Sequence, residues 1–230
     1  MKLKTTFLCL AALLGAALQA RAHAVWATIE NGQVYFALKE GSNGKPEARF
    51  APYVATLKAR CGSRVLSLGN ASEGVRKARM SYGFAVAYGE NQKGVEKGEE
   101  HFLASFHAKA AASLKDAASR SGASFDLTAQ LQDETLIVRV WEKGKPLSGS
   151  EVELQWPGAT EKLTQKSDAN GYARFPWQGD KYSGYVGIRA SKTIEKKVRF
   201  EKKNYPKTRK QATLTFPVVG SGLTGSNPKK

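Results

Sequence analysis

The chain has 230 residues, a formal net charge of +16 and two cysteines, Cys9 and Cys61. Cys9 lies in a segment expected to be removed, so no internal disulfide can form and stability must come from buried apolar area. After the first 22 residues no stretch is long and apolar enough to cross a bilayer as a helix, which reads as a soluble mature form. The basic residues are scattered, with a cluster at Lys196-Lys197, Lys202-Lys203 and Lys207-Arg209-Lys210 and no nucleic-acid-binding motif. That pattern argues against a specific nucleic-acid partner and fits a solvated face or attraction to an anionic envelope surface.

Lys2 and Lys4 precede an apolar run from Phe7 to Leu18, and Ala20-Arg21-Ala22 fits a small-x-small peptidase site. Residues 1–22 are therefore expected to be a signal peptide, with a periplasmic mature chain beginning at His23. Ala22-His23-Ala24 fits the same rule with a start at Val25, so both registers stand. Leu8 before Cys9 is not the small residue that a lipoprotein anchor requires.

The mature sequence reads as all-β, in two β-rich domains: 23–121, and 122–219 as an Ig-type β-sandwich. Residues 220–230 form a polar tail expected to be flexible. Runs 24–30 and 33–38 flank Asn31-Gly32, a pair suited to a tight hairpin because both positions tolerate positive φ. Further strands are expected at 52–58, 63–68, 81–88 and 101–107. The Ala-rich stretch from His107 to Gly122 suits a helix, or equally a strand tail followed by a loop. Composition shifts at Ser119 to Ser124, taken as the boundary. Beyond it, Leu136, Val138 and Val140 share one face of T-L-I-V-R-V-W, and Val152, Leu154 and Trp156 share one face of E-V-E-L-Q-W. Y-V-G-I-R-A, K-V-R-F and A-T-L-T-F complete a set of about seven strands, the count and spacing of a sandwich.

Common catalytic signatures are missing, so no enzyme is expected: there is no G-x-S-x-G, no H-E-x-x-H and no phosphate-binding loop. Cys61, beside Arg60 in A-R-C-G-S-R, reads as a spare thiol on a turn. The chain has three histidines, His23, His101 and His107. A terminal histidine can offer its α-amine and a ring nitrogen to one ion in a six-membered chelate, and a second histidine would complete a three-nitrogen site. Such donors suit nickel, cobalt, copper and zinc. The amine must lose its proton to bind, so affinity should rise with pH.

In G-E-E-H-F-L-A-S-F-H-A-K a strand sends Phe102, Ala104 and Phe106 to one face. His101, Leu103, Ser105 and His107 point to the other, less buried one. Six residues separate the two histidines by roughly 20 Å on a straight strand, so only one could join His23. Glu99 and Glu100 could add an oxygen ligand or accept from a ring N–H.

The start H-A-V-W-A-T-I-E-N-G-Q-V-Y-F-A-L-K-E-G resembles bacterial periplasmic proteins associated with nickel/cobalt transport. G-K-P-L-S-G-S-E-V-E-L, S-D-A-N-G-Y-A-R-F-P, Y-S-G-Y-V-G-I-R-A and Q-A-T-L-T-F resemble the transthyretin-like, carboxypeptidase-regulatory-like sandwich that closes that family. The resemblance implies metal capture for uptake, with a membrane transporter as partner, and carries a metal contact onto His23 alone. His101 and His107 rest on the chemistry above. The leading expectation is thus a nickel- or cobalt-binding periplasmic protein. The alternatives are a non-metal envelope interaction or adhesion module and a copper oxidase using a three-nitrogen brace.

Overall fold

The computed structural model describes residues 23–80, 83–97 and 100–220. The expected leader, Glu99 and residues 221–230 of the tail lie outside the described residues. The chain is all-β; the described residues include two single-turn α-helices and two short 3-10 turns. β1 (Ala24–Glu30) and β2 (Gln33–Lys39) form the expected hairpin. Asn31 at φ 48° and Gly32 at φ 71° supply the left-handed pair that a two-residue turn requires. β5 (Val75–Arg79) pairs with β2 and completes a three-stranded sheet.

Between β2 and β5 the sequence reading is corrected. Residues 52–58 are not a strand: α1 (Ala51–Val54) occupies the start, with Pro52 in its first turn, where the missing N–H costs nothing. β3 (Lys58–Cys61) and β4 (Arg64–Leu66) follow as a short hairpin. Arg76 of β5 ties this region together. Its guanidinium donates to the carbonyls of Ala55, Leu57, Leu68 and Gly69 at 2.8–3.2 Å.

The strand expected at 81–88 begins only at Val86 and runs on as β6 (Val86–Lys97); Ser81 and Tyr82 lie outside the described residues. β7 (Glu100–Ala111) pairs with it antiparallel. The Ala-rich stretch after His107 is strand up to Ala111. Only Leu114–Ala117 is helical (α2), capped by Ser113, whose Oγ accepts from the Asp116 N–H at 3.2 Å. Alanine favours helix, but here small side chains suit a strand covered on both faces, and packing overrides propensity.

β8 (Phe125–Gln132), unassigned by the sequence reading, pairs with β9 (Thr135–Glu142). The short β10 (Lys145–Pro146) and β13 (Tyr172–Pro176) also join β9. β11 (Glu151–Gln155), β12 (Leu163–Lys166), β14 (Gly184–Ile194) and β17 (Thr208–Val218) belong to a different sheet. β15 (Val198–Phe200) and β16 (Lys203–Tyr205) make a separate hairpin.

That different sheet is the frame of the molecule. Its eight strands run β12-β11-β14-β17-β7-β6-β3-β4, and β17 and β7 pair in parallel, with Ala212 opposite His107. The long sheet therefore crosses the boundary that composition suggested at 119–124. Its two covering layers lie on opposite faces. Ala212, Leu214 and Phe216 of β17 enter a core with Phe125, Leu127, Leu136, Val138 and Val140. Thr213 and Thr215, on the other face of the same strand, donate to the carbonyls of Val25 and Ala27 on β1. Phe102, Ala104 and Phe106 of β7 lie in the core beneath β1 and β2, with Val34 and Phe36. Two sandwiches thus share one central sheet, and β7 and β17 are covered twice.

Candidate functional site

The structure places the three histidines among different neighbours. His23 directly precedes β1 and is half-buried, its ring 4.5 Å from that of Phe50. Its Nε2 is fully buried with no hydrogen-bond partner. His101, near the start of β7, is exposed. Its Nε2 lies 3.4 Å from Glu96 and its ring 5.0 Å from Tyr205. Glu96 is shared with Lys203 at 3.0 Å, which, more than His101, holds its carboxyl below the ordinary range.

His107 corrects the expectation of a less buried histidine face. It is 6% exposed, because β8 covers the second half of β7, and its ring meets Phe125 edge-on at 6.1 Å. Ser105 Oγ lies 3.0 Å from its Nε2, and Glu90 Oε2 lies 3.3 Å from its Nδ1. The imidazole is the main cause of a lowered Glu90 pKa. This serine–histidine–glutamate order is the order of a nucleophilic triad. Ser105, however, is 3% exposed in the middle of a strand paired on both sides, which offers a substrate carbonyl no approach. The arrangement sets a hydroxyl and a carboxylate against a buried imidazole whose Nε2 is hydrogen-bonded and whose Nδ1 lies near Glu90 without hydrogen-bond geometry.

Two positions along the same face sits a buried ion pair that sequence reasoning missed. Lys109 Nζ lies 3.2 Å from Asp126 Oδ1, and both side chains are almost fully enclosed. Lys109 also donates to the carbonyls of Ser119, at 2.9 Å, and Leu127. Asp126 accepts from the Ser121 N–H at 2.7 Å and the Leu127 N–H at 2.8 Å. Burial lowers the Lys109 pKa more than Asp126 raises it. The period-two run Phe125, Leu127, Ala129 was the signal that could have revealed β8, and with it a cover over Lys109.

Among the described residues no group of three or more His, Cys, Asp or Glu side chains is placed to hold a metal ion. Glu100, a proposed oxygen donor, pairs with Arg209 at 2.7 Å. Cys61 is buried, its thiol facing the Val86 carbonyl at 3.0 Å, and burial raises its pKa; the spare thiol lies in β3 rather than on a turn. The basic cluster near the C-terminus is partly neutralised, with Lys203, Arg209 and Lys210 paired to Glu96, Glu100 and Glu142.

A broad concavity lies elsewhere. The layer formed by β1, β2 and β5 leaves the same face of β11, β12 and β14 open, and a groove of about 1280 Å³ runs over it. One wall is the loop after β2. Lys39 Nζ donates to the Ser42 carbonyl at 2.6 Å, and Asn43 donates to the Tyr185 carbonyl at 3.1 Å. Gly187 lets this wall descend, since a Cβ there would meet Ser42 Oγ at 2.5 Å. Burial lowers the Lys39 pKa to about 8, against the opposing pull of Glu30.

No protein-family model and no curated protein matches the chain. Among solved structures, the D0–D1 domains of intimin are 14% identical, aligned over 84% of this chain and 96% of that one, with a TM-score of 0.22. The first two immunoglobulin domains of DIP-gamma are 9% identical over 84% and 94%, with a TM-score of 0.17. At those scores neither likeness bears on what this chain does.

Proposed function

We propose that the mature protein is an exported, non-catalytic binding protein that captures nickel or cobalt at a terminal His23. The observation that carries this reading is the seating of the His23 ring. With Nε2 buried against the protein, the ring nitrogen left for a ligand is Nδ1, the one nearest its own main chain. A leader cut after Ala22 puts a free amine beside it, and one residue then closes the chelate. This version needs neither His101 nor His107, which suits their separate pairings with Glu96 and Glu90. Two nitrogens leave coordination positions for water or for a ligand from an uptake transporter, as a carrier that hands on its ion requires. The copper-brace alternative needs a third nitrogen from another histidine and gains no support from these pairings.

The test is titration of Ni(II), Co(II) and Cu(II) into protein whose first residue has been fixed by mass spectrometry. Stoichiometric binding tighter than about 10 µM is expected. It should weaken at least tenfold when one residue is added before His23, and should survive His101→Ala and His107→Ala. Equal affinity with and without the extra residue would overturn the chelate. A processed start at Val25 would remove it altogether.

A further inference from the structure

We infer that the outer face of the sheet formed by β8, β9 and β13 is a binding site for an acidic polysaccharide. Val138 and Val140 of β9 point into the core, so Arg139 and Trp141 stand on the opposite side of the strand. Tyr172 of β13 lies across from Arg139, and Arg174, two residues on, shares its face. Arg120, three residues beyond α2, completes the row. Arg120 and Arg139 lie over the Trp141 ring, 4.8 and 4.1 Å from its centroid. Arg139 and Arg174 lie over the Tyr172 ring at 4.6 and 5.3 Å. Three guanidiniums thus alternate with two rings in one line.

Stacking holds a guanidinium by its flat face and leaves its N–H edge for an acceptor, the edge that pairs with a carboxylate. Little of that capacity is used within the chain. Arg139 Nε donates to the Asn170 carbonyl at 3.1 Å, and Arg120 reaches the Gly144 carbonyl only at 3.5 Å. Arg174 pairs with Asp168 at 3.0 Å, whereas Arg120 and Arg139 have no carboxylate partner among the described residues. The basic cluster near the C-terminus differs, since Lys203, Arg209 and Lys210 each meet a glutamate there. Exposed Lys143 and Lys145, on either side of Gly144, add charge without an ion pair at the Arg120 end. Like charges held this close repel one another, and a bound anion relieves that repulsion.

Shape narrows the choice of anion. A single row of cations on a sheet face matches a polymer that repeats its charge along a line, not a membrane that spreads it over a plane. Each ring already lies beneath two guanidiniums, which take up the faces on which nucleobases would stack. A sugar chain bearing carboxylates needs no free ring face, because its carboxylates and hydroxyls accept from the N–H edges. This site is independent of the metal reading and shares no residue with it.

The experiment uses the leader-free protein in about 100 mM NaCl with EDTA, so that metal plays no part. Its probes are fluorescein-labelled polygalacturonate, neutral amylose, the oligonucleotide (dT)12 and phosphatidylglycerol vesicles. Polygalacturonate should bind with Kd below about 100 µM, and the Arg120→Gln/Arg139→Gln variant should bind it at least tenfold more weakly. The Lys196→Gln/Lys197→Gln variant removes the same charge from exposed lysines elsewhere and should lose less than threefold. Trp141→Leu keeps every charge but frees two guanidiniums, and should weaken binding with the salt dependence unchanged. Equal losses in the two double variants would mean diffuse attraction to a basic chain and would overturn the site. Amylose binding as tightly as polygalacturonate would overturn the role of charge. Tighter binding of (dT)12 or of the vesicles would reassign the face to nucleic acid or membrane and overturn the polysaccharide claim.

Discussion

On the face of β17 that meets β1, the hydroxyls of Thr213 and Thr215 reach main-chain carbonyls; on the face of β7 that meets β8, a lysine reaches an aspartate. Both contacts fasten a covering layer to the central sheet, and both satisfy polar groups that burial would otherwise leave bare. The hydroxyl seam is neutral and caps the open edge of a three-stranded sheet. The charged seam carries two ions that have left water, and its strength depends on each keeping its partner. Two layers on one sheet therefore differ in how they should respond to mutation and to pH.

The largest difference should come from breaking the charged seam. Asp126→Ala leaves Lys109 buried without its counter-ion and should cost about 3–5 kcal/mol in urea unfolding. An effect below 1 kcal/mol would mean that water reaches the lysine. Next is alkaline pH. Lys39 has a folded pKa of about 8 against 10.5 unfolded, so the unfolded chain binds the extra proton between those values. Stability should therefore rise across that window, by about 3 kcal/mol from Lys39, with Lys109 acting in the same direction. Above pH 10 the trend should reverse, because burial raises the phenol pKa values of Tyr88 and Tyr185.

The neutral seam should give a smaller, pH-independent effect. Thr213→Val removes the donor to the Val25 carbonyl and should cost about 1–2 kcal/mol at both pH 6 and pH 9. A pH-dependent cost would erase the contrast between the seams. Smallest is Glu90→Gln. The lowered Glu90 pKa contributes stability above the carboxylate range that is lost as pH falls through it. Glu90 is 44% exposed, so its removal should flatten the acid limb by less than about 1 kcal/mol.

The difference between the seams also explains what the sequence made legible. Asn31-Gly32 announced its hairpin because a local φ requirement selects those residues. Val152, Leu154 and Trp156 announced an inward face because alternation is local too, and all three are buried. The Ser105, His107 and Lys109 face read as outward because polar side chains in alternation mean solvent when one strand is read alone. Its burial depends on β8, which is brought there by the parallel pairing of β7 with β17, a contact about a hundred residues apart in the chain. The β6–β7 hairpin sets Glu90 opposite His107, and β8 brings Phe125 against its ring, neighbours that His23 does not share. Nothing in the spacing of three histidines encodes that.

The pairing of β7 with β17 is also what makes two sandwiches one folding unit, and amide hydrogen exchange measures it directly. The amides of β7 and β17 should exchange slowest and together, through a single global opening whose free energy equals that of urea unfolding. If β7 instead exchanged with β1 and β2 in a separate, easier opening while β17 stayed protected, the shared sheet would not hold the two halves together, and the account would be wrong.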